Sequence, residues 1–409
     1  MSGDTTGAIV PIGEATRRAS FWRDLSLMHV ANGLVGFLFA ASGPLAIVLA
    51  AGTKGGLSEA DLASWVFGSL FVNGLVSIVF CLRYRQPLVF FWTIPGTVLI
   101  APALSHLSFA EVIGAYVVTG LLMTALGLAG WVQRAMQAIP MPIVMGMVAG
   151  VFLAFGLDWV RAFQADLAIA VAMTATYFAV SAVPALATRL PPLIVTLAVG
   201  ALIIWHSGTI TLDIDAGSAV AAPRLHTPEI SWPALAELVL PLAISVLVVQ
   251  NGQGFAVLTA AGHTPPINAI AVGCGLGSTV GAFVGAVSTC LTGPVNAIIS
   301  SGGDRRAQYT AGVVAGSLAM TFGLFAPLVT RLMLATPPAF IATLAGLAML
   351  RVLQSAFAVA FQGRFTLGAL VTFLVTVAGI PIFNIGAPFW ALIAGTCTSL
   401  LMERNDWRA

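Results

Sequence analysis

The chain has 409 residues, 59% of them apolar and only 8% charged, with a formal net charge of +2. A soluble domain carries roughly 25% charged residues, so this composition excludes one, and without a basic cluster to track phosphates it excludes nucleic-acid binding as well. Crossing a bilayer takes about 20 apolar residues, and such runs recur almost end to end; the expectation is an all-α, multi-pass integral membrane protein.

Residues 1–24 are polar and hold no apolar core with a cleavage site, which reads as a cytoplasmic tail rather than a signal peptide. Seven apolar segments follow at 25–51, 61–82, 88–103, 109–132, 139–157, 166–187 and 190–206. A polar stretch, 207–232, holding Asp213, Asp215, Arg224, His226 and Glu229, reads as an external linker. Seven more segments follow at 233–259, 266–285, 287–302, 308–331, 337–361, 365–380 and 386–402. The chain thus divides into two seven-span repeats, 25–206 and 233–402, fourteen segments in all.

The first span carries His29, Asn32 and Ser42-Gly43-Pro44. The proline should disrupt the helix locally, which makes Ser42 either a site residue or a partner of the kink. His29 is the one histidine inside an apolar stretch that could titrate near neutral pH, and with Glu237 it is a candidate for proton coupling. The third span is short and broken, Trp92-Thr93-Ile94-Pro95-Gly96-Thr97, an extended stretch running into a proline and then a small-residue helix. Proline suits a first helical turn, where its missing N–H would be unpaired anyway. The fifth span opens on Pro140-Met141-Pro142 and continues through Gly146 and Gly150.

In the second half, the eighth span holds Gln250-Asn251-Gly252-Gln253-Gly254, the densest polar cluster inside any apolar run, expected to be unwound or to line a cavity. Gly277, Gly281 and Gly285 in the ninth form a GxxxGxxxG run that permits close helix packing. The tenth span is broken like the third, at Leu291-Thr292-Gly293-Pro294-Val295-Asn296, about two hundred residues further on. Pro337-Pro338 opens the twelfth at nearly the same offset from the fifth, ahead of Gly346. Seven spans being odd, the second half must enter from the opposite side, an inverted repeat.

With the N-terminus cytoplasmic, thirteen of the 17 basic residues fall inside and only Lys54, Arg161, Arg224 and Arg331 outside, as positive-inside topology requires. Both termini are then cytoplasmic. None of the 15 acidic residues lies at mid-membrane; Glu111, Asp158 and Glu237 sit near span ends. A matched pair of interrupted spans points to a substrate site, and two half-helix N-termini aimed at one point suit an anion that brings its own charge. Candidate substrate-binding residues are Thr93, Pro95, Gly96 and Thr97; Thr292, Gly293, Pro294, Val295 and Asn296; Gln250, Asn251 and Gln253; and Asn32 and Ser42. An aromatic ring in the substrate would pack on Phe37, Phe39, Phe90, Phe91, Trp92 or Phe255. Cys81, Cys274, Cys290 and Cys397 have no metal-ligand spacing and read as buried hydrophobes, with Cys290 adjoining the second break. No nucleophile, phosphate loop, haem or metal motif is present, so neither an enzyme nor a cofactor is expected.

Trp92–Thr97, Gln250–Leu258 followed by Ala260-Ala261-Gly262, Arg305-Arg306 through Gly316, and Ala345-Gly346-Leu347-Ala348 carry a likeness that extends over nearly the whole chain. In these the sequence resembles the benzoate:proton symporter family. The resemblance implies the fold shared with uracil permease and the sulfate and bicarbonate transporters. In it spans 1–4 and 8–11 (25–132 and 233–331) form a core domain, and spans 5–7 and 12–14 (139–206 and 337–402) form a gate. Substrate would sit between the half-helices of spans 3 and 10, and the core would move as an elevator against a frequently dimeric gate. It further implies uptake of an aromatic carboxylate with protons, across a bacterial inner membrane. At one place the chain departs: the family pattern starts the tenth-span helix with Gly-Gly-His followed by Asn, whereas Thr292–Asn296 holds no histidine. The rival expectations are a carrier of sulfate-like anions or a nucleobase, and an anion channel.

Overall fold

The computed structural model describes residues 21–132, 134, 139–183, 192–207, 219–380, 382 and 387–408. Most of the N-terminal tail, Asp213 and Asp215 lie outside the described residues. In chain order the elements are α1 (Leu27–Ala41), α2 (Gly43–Lys54), α3 (Glu59–Tyr84), β1 (Phe90–Trp92), α4 (Ile94–Ala103), α5 (Phe109–Leu128), α6 (Met141–Ala165), α7 (Leu167–Ala182) and α8 (Pro192–Ser207). The second half contains α9 (Trp232–Thr259), α10 (Ile267–Ala282), β2 (Thr289–Leu291), α11 (Gly293–Ile299), α12 (Tyr309–Leu324), α13 (Ala326–Leu334), α14 (Pro338–Ala360), α15 (Thr366–Ala378) and α16 (Ala387–Met402). Six described helices, counting α1–α2 as one, are long and apolar enough to cross a membrane, and the α12–α13 pair, bent by 73°, makes a seventh. The protein is a multi-pass helical membrane protein, and its two three-residue strands are an exception to the all-α expectation.

Local chemistry sets the helix starts. Ser26, Ser58 and Asp166 accept hydrogen bonds from first-turn N–H groups of α1, α3 and α7, and Ser108 with Glu111 closes a capping box on α5. Proline occupies the first turn of α2, α4, α6, α11 and α14. The first span breaks at Ser42, whose hydroxyl donates to Phe39 O at 2.8 Å, and restarts with Pro44 inside the new helix. The eighth span is not unwound at Gln250–Gly254: a π-helical turn over Ser245–Gln250 leads directly into α-helix at Asn251.

The packing pattern maps onto itself when the halves are exchanged. α6 packs on α14; α5 on α10 as α3 packs on α12; α7 on α8 as α15 packs on α16. The second pairing rests on matched glycines. A Cβ at Gly120 would lie 2.8 Å from Gly275 O and one at Gly275 would lie 2.6 Å from Gly120 O, while Gly74 and Gly316 face each other's carbonyls at 2.6 and 2.8 Å. The GxxxGxxxG run does not supply this contact: Gly277 faces Thr289, Gly281 has room, and Gly285 lies beyond the helix at φ +80. The described part of the linker is hydrogen-bonded across the helix ends, with Ala221 N on Leu324 O, His226 N on Phe283 O and Glu229 N on Ala110 O.

A Gly275→Val variant drives its side chain into Thr124 Oγ1 and Gly120 O, at 2.2 and 2.6 Å from its Cβ, and should lose about 1–3 kcal/mol of stability through overpacking. Gly281→Ala, whose nearest neighbour is 3.5 Å away, should leave the thermal midpoint unchanged. Thermal unfolding in detergent checks both; equal midpoints would contradict the packing.

Candidate functional site

Backbone N–H and C=O groups at membrane depth have no water to bond, so irregular segments there must be satisfied by protein. β1 and β2 satisfy each other, pairing antiparallel with Phe90 opposite Leu291, Phe91 opposite Cys290 and Trp92 opposite Thr289. Bonds from Thr93 N to Ser288 O (2.9 Å) and Thr292 N to Val89 O (3.2 Å) extend the ladder at each end. The outer edges are closed by side chains. Ser77 Oγ accepts from Phe90 N at 2.8 Å, Ser278 Oγ from Thr289 N at 2.9 Å, and Asn251 Oδ1 from Leu291 N at 2.8 Å. Asn296 works hardest: Oδ1 accepts from Val89 N at 3.0 Å, while Nδ2 donates to Val89 O (2.9 Å) and Thr292 O (2.7 Å).

This crossed pair aims α4 and α11 at one cavity of about 50 Å³. Its walls come from both broken spans (Phe91, Trp92, Ile94, Pro95, Thr292, Pro294, Val295), the first span (Phe39, Ala40, Pro44) and the eighth (Val249, Gln250, Gln253). α6 and α14 close it with Met145, Val148, Ala348 and Met349. Among the described residues, no charged side chain lines it. Among the described residues, the Trp92 indole Nε1 is a buried polar atom of a lining residue without a hydrogen-bond partner, whereas the Thr292 hydroxyl has the Cys290 thiol beside it. The helix starts differ in this respect. Thr93 caps α4, its hydroxyl accepting from Gly96 N at 3.2 Å and lying 3.1 Å from Ser245 Oγ, whereas Thr292 makes no cap on α11.

The structure gathers Pro95, Thr292, Pro294, Val295, Gln250 and Gln253 of the sequence candidates around the cavity. Thr93, Gly96, Thr97, Gly293, Asn251 and Asn296 lie behind it. Thr97 Oγ1 donates to Thr93 O at 2.8 Å, Gly293 packs against Gln253, and the two asparagines are committed to the strands. Asn32 neighbours Gly302 and Ser42 bonds its own helix, and neither lines the cavity. Of the aromatic candidates Phe39, Phe91 and Trp92 line it, while Phe37 packs on Phe322, Phe90 on Phe80, and Phe255 against the core. Cys290 is fully buried in β2 behind the cavity wall.

His29 lies at the start of the first span, its Nδ1 2.9 Å from Ser26 Oγ and its Nε2 packed over Gly303. Glu237, 3% exposed, has its Oε2 2.8 Å from Nε2 of the part-buried His106, a pair joining the eighth span to the turn after α4. Sequence reading missed Ser77 and Ser278, and the walls Met145 and Met349; only the polar pattern of the broken spans marked the place.

The family model described as benzoate membrane transport protein, BenE, matches residues 23–401. The inner membrane protein YdcO of Escherichia coli (strain K12) is 29% identical over 383 residues, covering 92% of this chain and 97% of that protein. The benzoate membrane transport protein of Acinetobacter baylyi is 28% identical over 381 residues, covering 91% and 94%. Among solved structures, the transmembrane domain of a cyanobacterium bicarbonate transporter, BicA, superposes with a TM-score of 0.60 at 17% identity, over 90% of this chain and 96% of that one. The murine Slc26a9 anion transporter in its inward-facing state superposes with a TM-score of 0.65 at 14% identity, over 93% of this chain and 69% of that one. These structures show a shared fold.

Asn296→Leu removes the three bonds to Val89 and Thr292 at little change in volume. It should cost about 1–3 kcal/mol by leaving Val89 N–H buried and unpaired, seen as a lower thermal midpoint without ligand. An Asn296→Leu protein as stable as wild type but unable to bind ligand would make Asn296 a ligand contact instead.

Proposed function

The chain belongs to the benzoate membrane transport family, and from that premise we propose that it is a secondary transporter importing a small aromatic carboxylate across the bacterial inner membrane. The observation that supports the substrate class is the buried Trp92 Nε1, which has no hydrogen-bond partner, with the Thr292 hydroxyl, beside the Cys290 thiol, on residues lining a cavity that has no charged side chain among the described residues. A buried donor left without an acceptor costs about 1–3 kcal/mol. A carboxylate brings acceptor oxygens and its own charge, and the uncapped start of α11 adds a favourable dipole end. The ring would pack on Phe39 and Phe91, with the Gln250 and Gln253 amides at its side.

A cavity of about 50 Å³ is contracted, since a cavity of roughly 150 Å³ is what holds a benzene ring. Binding thus requires the walls to separate. Those walls belong to two sets of helices, the broken, first and eighth spans on one side and α6 and α14 on the other. Sliding the first set against the second is the elevator motion, with the helices of α6–α8 and α14–α16 as the static, dimer-forming gate. Met145 and Met349, flexible and polarizable, suit a wall that must re-form around a ligand.

Protons would enter through Glu237 and His106, a buried carboxyl paired with a part-buried imidazole on the moving side; His29 lies at the opposite end of the first span from Lys54 and away from the cavity. Glu237→Gln should then abolish accumulation driven by an inward proton gradient while benzoate exchange between the two sides persists. Loss of both, in a folded protein, would assign Glu237 to structure.

Uptake of radiolabelled benzoate into proteoliposomes, competed by salicylate, sulfate and uracil, tests the substrate. Wild type should take up benzoate saturably, with salicylate the effective competitor. Thr292→Val and Trp92→Phe should each weaken apparent affinity roughly 10- to 100-fold, the value of a hydrogen bond to a charged group. Uptake of sulfate or uracil in place of benzoate would overturn the substrate class.

A further inference from the structure

A second cavity, of about 460 Å³, opens between the same two sets of helices toward the Lys54 end of the first span. It is lined by three of the helices that line the central cavity, through different residues. α4 lines the centre with Pro95 and the cleft with Val98, Leu99 and Pro102; α6 lines the centre with Met145 and Val148 and the cleft with Gly150 through Leu157. α2 begins at the centre with Pro44 and ends at the cleft with Lys54. The cleft therefore lies along the same three helices as the central cavity, nearer the Lys54 end, and it has room for a benzoate-sized ligand where the centre has none.

Its walls are mostly apolar, and its polar groups are few. Lys54 stands at the mouth, half-exposed, with its ammonium 5.9 Å from the centre of the Phe155 ring. Ser105 and His106 lie on the α4 side, His106 already paired with Glu237. Lys54 is ion-paired with Asp158 across the junction, from α2 to α6, and Asp158 also accepts from Arg161 Nη1 at 3.2 Å. On the other side of Lys54 and Phe155 lies a third cavity of about 380 Å³ bordered by Asp158 and Arg161.

We propose that this cleft is a vestibular site for the aromatic carboxylate, in which the Lys54 ammonium takes the carboxylate and Phe155 the ring. It rests on the aromatic-carboxylate reading above. Incoming carboxylate displaces Asp158 from Lys54, and Asp158 keeps a cation in Arg161, so the exchange leaves no charge unpaired. Because the Lys54–Asp158 pair is partly solvated, it holds weakly and gives way readily. Its release frees α2 from α6, the two helices that must part before the central cavity can widen.

Steady-state benzoate uptake by Lys54→Gln and Asp158→Asn proteoliposomes decides the matter, because the two variants diverge under this proposal. Lys54→Gln loses the carboxylate's partner, and KM should rise about fivefold, the value of one partly exposed ion pair; Lys54→Arg should restore it. Asp158→Asn removes the competitor, and KM should fall. Were the pair only a structural tie, both variants would change transport in the same direction. Same-direction changes, or none, in proteins that remain monodisperse on gel filtration would overturn the vestibular site while leaving the central site standing. A wild-type protein that carries no aromatic carboxylate, with Thr292→Val no different from it, would overturn the underlying reading and this site with it.

Discussion

Everything at the centre of this protein depends on closing the hydrogen bonds of two short extended segments where water is absent. An open strand at membrane depth would leave several buried N–H and C=O groups unpaired, each costing a few kcal/mol. Here β1 and β2 use each other, and Ser77, Ser278, Asn251 and Asn296 finish their free edges. Only with that closure can α4 and α11 begin mid-molecule and present their starts to a common cavity. The glycine contacts between α5 and α10 and between α3 and α12 hold the flanking helices close enough for those side chains to reach.

Polar residues in this region consequently divide into two kinds. One kind is consumed by the backbone and keeps the scaffold rigid. The other is not tied to the backbone: the Trp92 indole has no hydrogen-bond partner, and the Thr292 hydroxyl has only the Cys290 thiol beside it. The two halves of the repeat share a scaffold and differ in this detail, Thr93 being occupied with Gly96 N and Ser245 while Thr292 is not. One capped and one uncapped helix start make the two sides of the cavity chemically unlike, which the proposed aromatic-carboxylate substrate would use. Under the proposed mechanism the cavity's small volume couples binding to separation of the two helix sets.

The place of the central cavity was legible from Pro95 and Pro294 and their small-residue neighbours, since a proline-glycine break inside an apolar run has few other uses. The chemistry of individual residues was harder to read. Asn251 and Asn296 stood out as amides within apolar helices, and an amide there can serve a ligand or a backbone equally well; only the strand pairing, a contact across about two hundred residues, decides for the backbone. Ser77 and Ser278 look like any helix hydroxyl bonding its own turn. Met145 and Met349 carry no polar mark. Glu237 and His106 sit 131 positions apart, so nothing in the sequence joins them. Gly277, Gly281 and Gly285 matched a packing motif by spacing, yet the close contact falls on Gly120 and Gly275, where the partner helix also carries a glycine.

The most direct measurement is the structure of the protein with benzoate bound. The carboxylate should lie within hydrogen-bond distance of both Trp92 Nε1 and Thr292 Oγ1, with the cavity enlarged by displacement of Met145 and Met349. Benzoate seated elsewhere, or bound without a hydrogen bond to those two groups, would contradict the assignment of the site.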